Sequence, residues 1–222
     1  MAGKIAIFVP PFKLSTKQSD VSTSRDATLL RYLMREAKAK GYRVIEMNHP
    51  KELWNVTDLE VRRKDLLERL RRIDFKGKKP IFIGHSLGAF LLKSNLQELS
   101  EHVGTQFKVF TIGGIHSGGS EVPEGNPLLR RLSSGWDLER GKFRKLSEGI
   151  HVPENCRLIE FYSPHDPILH SNQEVARTIS PRHIRVPIIV KKPVAGIEKF
   201  ITHHLFRGHE RHVAIKIRRH LK

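Results

Sequence analysis

Lys79-Pro-Ile-Phe-Ile-Gly-His-Ser-Leu-Gly-Ala-Phe-Leu-Leu92 decides how the chain is read. Ile81, Phe82 and Ile83 form a short apolar run of the kind shown by a strand covered on both faces of a parallel sheet. Gly84, Ser86 and Gly88 then match G-x-S-x-G, in which glycines on either side of the serine let backbone pass where a Cβ would obstruct it. Ala89, Phe90, Leu92 and Leu96 follow at helical core spacing. A buried strand therefore turns sharply into a helix, with Ser86 at the corner as in a nucleophile elbow. Three fixed positions of common residues carry little weight alone. The weight comes from the strand before, the helix after, and an acid and a histidine downstream.

Outward from this stretch, apolar runs alternate with amphipathic ones. Towards the N-terminus, Lys4 to Val9 predicts a strand stopped by Pro10-Pro11, since proline cannot donate to a ladder. A helix capped by Ser22 or Ser24 runs to about Lys40 and closes at Gly41; Tyr42 to Met47 predicts a second strand. Thr57 or Asp58 starts a helix that ends before Gly77. Towards the C-terminus, Phe107 to Ile112 predicts a fourth strand leading into the glycine-rich loop 113–120. Residues 121–152 read as irregular, with short helices at Leu128 to Leu132 and Phe143 to Leu146. A strand over Arg157 to Tyr162 ends in the turn Ser163-Pro-His-Asp-Pro167, and a short helix spans Asn172 to Thr178. His183 to Val190 predicts a sixth strand whose Pro187 marks an edge. A last helix from about His209 to Leu221 presents Val213, Ile217 and Leu221 on one face. Strands alternating with helices imply one α/β domain over residues 1–222, with about six mostly parallel strands and helices on both faces.

The length of 222 residues allows a sizeable core, and no run approaches the length of a membrane span. The expectation is a cytoplasmic protein. Its single cysteine, Cys156, allows no internal disulfide and reads as a small buried residue at a strand start. A net charge of +17 bears on partners rather than on fold. Residues 181–222 carry eleven Lys or Arg against Glu198 and Glu210, and Arg62, Arg63, Lys64, Arg69, Arg71 and Arg72 share one helix. These read first as solvated faces and second as surfaces for an anionic membrane or polyanion. No motif that reads nucleic acid accompanies them.

A serine hydroxyl becomes a useful nucleophile when a base takes its proton and an acid holds that base. Ser86 follows the third strand, Asp166 the fifth, and the late histidines precede the last helix; Ser, Asp, His is the order expected of successive strand ends in a hydrolase sheet. Glu121 and Glu124 are other places for the acid. Among thirteen histidines, His203, His204 and His209 are the candidates for the base.

In these features the chain resembles the α/β-hydrolase fold, and within it the compact lipases and esterases without a large lid domain. Gly84-His-Ser-Leu-Gly88 is similar to the lipase elbow with its histidine before the serine. Thr111-Ile-Gly-Gly-Ile-His-Ser-Gly-Gly-Ser120 resembles the loop Thr-x-Gly-x-Pro-His-x-Gly-Ser of bacterial lipases, with Ile115 where proline is usual. Tyr162-Ser-Pro-His-Asp-Pro-Ile168 looks like the turn presenting the family's acid, and His204-Leu-Phe206 like its histidine segment. The resemblance implies a triad of Ser86, Asp166 and His204.

Leu87, after the nucleophile, would give one backbone N–H to an oxyanion hole. The second should come from the loop after the first strand. Lipases usually have His-Gly there where this chain has Pro10-Pro11, so the first available donor is Phe12. The implied activity is hydrolysis of carboxylic esters, on a small-molecule or lipid substrate, through an acyl-enzyme. A thioesterase or acyltransferase would use the same triad. The alternative from another class is a weakly active scaffold whose basic surface binds polyanions or anionic membranes. No metal-binding spacing or nucleotide loop is present in the sequence, so no cofactor or metal is implied. The sequence leaves the oligomeric state open.

Overall fold

The computed structural model describes residues 3–11, 28–48, 50, 59–113, 151–164, 182–189, 206 and 208–221. Strand β1 (Lys4–Val9) is followed by helix α1 (Thr28–Ala39), β2 (Arg43–Glu46), α2 (Leu59–Arg71) and β3 (Lys79–His85). Helices α3 (Leu87–Lys93) and α4 (Leu96–Val103) come next, then β4 (Phe107–Ile112), β5 (Cys156–Tyr162), β6 (His183–Pro187) and α5 (Glu210–Arg218). All six strands pair in parallel in the order β2-β1-β3-β4-β5-β6. The expected short helices over 128–132, 143–146 and 172–178 lie outside the described residues, as do the proposed caps Ser22, Ser24, Thr57 and Asp58.

Because successive strand residues point to opposite faces, β1 to β5 each feed two cores, while β6 gives Ile184 and Val186 to one and turns His183 and Arg185 to the other side. Ile5, Ile7, Val9, Phe82, Val109 and Leu158 face α2, α3 and α4, whereas Ala6, Phe8, Ile81, Ile83, Phe110 and Phe161 face α1 and α5. Helix α1 buries Leu29, Leu30, Leu33, Met34 and Ala37. Each fully buried Leu is worth about 1.5–3 kcal/mol, so this face outweighs the small differences in helix propensity along α1. Among the described residues no helix is long and apolar enough to cross a membrane.

Two expected elements are corrected. The helix after Ser86 does not carry Leu96 as one unit but breaks at Ser94 and Asn95. The Ser94 hydroxyl (3.1 Å) and the Asn95 side-chain amide (3.0 Å) both donate to the Leu91 carbonyl, competing with the helical ladder there. The sixth strand ends at Pro187 rather than Val190, because its partner β5 ends at Tyr162, although the Ile188 N–H still donates to the Tyr162 carbonyl at 2.7 Å. It lies at the sheet edge, as Pro187 predicted.

The basic run on α2 is only partly a solvated face. Lys64, Arg71 and Arg72 are exposed, but Arg62 is buried. Arg63 donates to both Glu60 oxygens at 2.9 Å, to the Asn95 side-chain oxygen at 3.0 Å and to Glu98. Arg69 donates to the Asn48 carbonyl and pairs with Asp65. Much of this charge therefore holds α2 to its neighbours.

The sheet order fixes where a site can form. The chain runs from β1 outward to β2, then returns to pair β3 on the other side of β1. The loops leaving β1 and β3 thus diverge at the carboxyl ends of adjacent strands, the crevice where open α/β sheets bind ligands. Ser86 and Pro10-Pro11 stand at its two sides.

Candidate active site

Ser86 follows the last residue of β3 with φ 53° and ψ −119°, a backbone conformation that a residue with a Cβ rarely adopts. Its N–H donates to the Ile112 carbonyl at the end of β4 (2.9 Å), and its carbonyl accepts the Phe90 N–H (3.1 Å), so one residue closes the sheet and opens α3. Flanking glycines make the turn possible. A Cβ on Gly84 would meet the Gly88 oxygen at 2.6 Å, and one on Gly88 would press into the Val9 carbonyl and lie 2.6 Å from the Pro10 oxygen. Ser86 keeps 7% of its surface accessible, at a corner otherwise closed by buried neighbours.

The same close approach brings the end of β1 against the first turn of α3. Pro10 and Pro11 are buried there, and Phe12, the expected second oxyanion donor, is the next residue and lies outside the described ones. Leu87 is the first residue of α3, where a backbone N–H has no acceptor within its own helix.

Of the expected acid and base, Asp166, His203 and His204 lie outside the described residues, but the chain on one side of each is placed. Strand β5 lies two positions from β3, about 10 Å at the usual strand spacing. It ends at Tyr162, followed by the buried Ser163, three residues before Asp166 in the sequence. Phe206 is fully buried with φ 55°, and its ring centroid lies 6.5 Å from that of His85, the residue before Ser86. The His209 N–H donates to the Phe206 carbonyl (2.9 Å), and the His209 carbonyl accepts from Val213 at the start of α5. His209 itself caps α5. Phe206, two residues after His204 in the sequence, is thereby anchored beside the strand that leads to Ser86.

No protein-family model matches the sequence, and no curated protein matches it. Solved structures do match in shape. A protein from Xanthomonas campestris described as a hydrolase of the α/β superfamily superposes with a TM-score of 0.56 at 15% identity, covering 99% of this chain and 98% of that one. Est1E from Butyrivibrio proteoclasticus, with ferulic acid bound, gives 0.58 at 12% identity over 98% and 87%. The thioesterase domain of NocB, in covalent complex with a fluorophosphonate analogue of nocardicin G, gives 0.57 at 15% identity over 99% and 95%. The chain has the α/β-hydrolase fold.

Beneath the corner, this α/β-hydrolase fold holds a buried charge cluster that the sequence reading passed over. The fully buried Glu160 of β5 lies 3.2 Å from the Lys93 ammonium and 3.0 Å from His183 Nε2. Arg185 Nε stands at ion-pair distance, 3.2 Å, without hydrogen-bond geometry, and its guanidinium lies 4.4 Å over the Tyr162 ring. Burial pulls the Lys93 ammonium below the usual lysine range, and Glu160 opposes that shift. One signal for the cluster was available: a carboxylate inside the apolar run Leu158-Ile-Glu-Phe-Tyr162 needs buried partners. Among the described residues, no three His, Cys, Asp or Glu side chains gather as a metal ion would need.

Proposed function

We propose that the protein is a serine hydrolase acting on carboxylic esters, with residues 1–222 as one domain. Ser86 attacks the ester carbonyl, His204 takes the hydroxyl proton and passes it to the leaving alcohol, and Asp166 holds the imidazolium. The N–H groups of Leu87 and Phe12 receive the oxyanion, and water, activated by His204, releases the acyl group. The observation that carries this reading is the Ser86 backbone, φ 53° and ψ −119°, at a strand-to-helix corner where glycines accept contacts no other residue could. Strain at one non-glycine residue, held by its surroundings, is characteristic of a functional position. The anchoring of Phe206 against His85 supports the late histidine segment as the source of the base.

Substrates in this reading are small or lipid esters. Thioesters would react through the same groups, and likenesses to Est1E and to a thioesterase domain do not separate the two. The test uses p-nitrophenyl acetate, butyrate and longer esters, the matching thioesters, and a fluorophosphonate probe, on wild type and Ser86→Ala. Hydrolysis and labelling that vanish in Ser86→Ala support the mechanism; hydrolysis that survives the substitution excludes it.

A further inference from the structure

We propose that Glu160 is a positioning residue, which rests on the serine-hydrolase reading above: its carboxylate fixes the helix that begins at the nucleophile relative to the strand that leads to the acid. Helix α3 is seven residues long and is interrupted immediately afterwards; Leu87, Phe90, Leu91 and Leu92 pack it on the sheet, and its two ends fix its direction there. Its start is pressed on β1 through Gly88, against the Val9 and Pro10 carbonyls. Its last residue, Lys93, reaches across β4 to Glu160 on β5.

Glu160 is level in the parallel register with Thr111 of β4 and Arg185 of β6, and Thr111 is level with Gly84 of β3. The tie therefore crosses the sheet on the α3 face, two residues below Ser86 on one side and six before Asp166 on the other. Its third arm reaches the site too. Arg185 stacks over Tyr162, the last residue of β5 before the Ser163 turn.

Stability does not account for such a pair. Replacing a buried ion pair by apolar groups of similar volume is often neutral or stabilising, whereas removing one partner is strongly destabilising. What the pair supplies is direction: a carboxylate held by the Lys93 ammonium, the His183 ring and the Arg185 guanidinium, from α3 and two places on β6, allows one arrangement of these elements. A shift of about 1 Å between nucleophile and acid is enough to cost roughly 100-fold in rate.

The experiment compares wild type, Glu160→Gln, the double variant Lys93→Met/Glu160→Gln, and Arg185→Gln. Each is measured for melting temperature, for kcat and KM on p-nitrophenyl butyrate, and for the rate of fluorophosphonate labelling. Glu160→Gln should melt lower and lose kcat and labelling rate by roughly 10- to 100-fold with KM unchanged. The double variant should recover the melting temperature and keep the reduced kcat, a separation that a merely structural role would not produce. Arg185 is partly exposed, so Arg185→Gln folds in any case, and its kcat should fall by a few-fold at constant KM. A double variant with both melting temperature and kcat restored overturns the proposal, as does an Arg185→Gln enzyme with wild-type kcat. If wild type itself shows no Ser86-dependent turnover or labelling, the hydrolase reading fails and takes this one with it. Wild-type activity with an indifferent cluster sinks only the positioning role.

Discussion

The ring of Phe206 lies with its centroid 6.5 Å from the imidazole of His85, so the C-terminal segment and the strand leading to Ser86 share a contact within the core. Phe206 holds this place with a left-handed backbone, and its carbonyl receives the first N–H of the α5 entry. Truncation to Phe206→Ala removes the ring and should cost about 3–5 kcal/mol in urea unfolding. It should also loosen the segment bearing His204, lowering kcat on a p-nitrophenyl ester by roughly tenfold with less effect on KM.

Gly88→Ala tests the approach of β1 to α3. The added methyl would enter the Val9 carbonyl and crowd that of Pro10, and backbone cannot retreat as a flexible side chain would. A destabilisation of about 1–3 kcal/mol is expected from overpacking. Displacement of Pro10 should carry with it Phe12, the second oxyanion donor in the proposed mechanism. The rate of fluorophosphonate labelling should then fall by roughly 10²- to 10³-fold, the usual effect of losing one oxyanion donor.

Arg63→Met tests a purely structural tie. The guanidinium joins Glu60, Asn95 and Glu98, and these hydrogen bonds hold its proton even more firmly than usual, Glu60 contributing most. The side chain is 17% exposed, so water screens part of the interaction, and a loss of about 1–2 kcal/mol is expected. Melting should register it while labelling of Ser86 stays at the wild-type rate.

Cys156 gives a pH-dependent prediction. Burial at the start of β5 pushes its thiol from the ordinary 9.0 up to about 12. Above about pH 9 the unfolded chain releases this proton while the folded chain keeps it. Stability therefore falls with rising pH between about 9 and about 12, by up to about 1.4 kcal/mol per unit. Cys156→Ala should flatten this alkaline decline in melting temperature. In the native protein a disulfide reagent such as dithionitrobenzoate should react slowly at neutral pH, and unfolding in guanidinium chloride should release one reactive thiol.

Local patterns carried most of the architecture. Phe107 to Ile112 is β4 residue for residue, and the doubly apolar Ile81 to Ile83 announced a central strand, because burial on both faces leaves a continuous signature. The elbow was legible because its glycines are dictated by close approach. What the sequence hid are contacts between distant residues. Lys93 and Glu160 are 67 positions apart, and only the parallel register brings them together. Arg63 looked like part of a charged surface because one of its acids, Glu98, sits on another helix. The break at Ser94-Asn95 was missed because two ordinary side chains took a carbonyl that the helical spacing of Leu96 had implicitly assigned to the ladder. Phe206 gave no sign of its positive φ, since a bulky aromatic is the last residue one would assign to that conformation.

The backbone at residue 86 would be relaxed by glycine and is resisted by every side chain, at a cost of order 1–3 kcal/mol. A library sorted purely for heat tolerance should therefore drift towards Ser86→Gly, gaining robustness while discarding the hydroxyl. On the serine-hydrolase reading the corner trades endurance for reactivity, and the thermal gain of that one variant reports what an oxygen there costs.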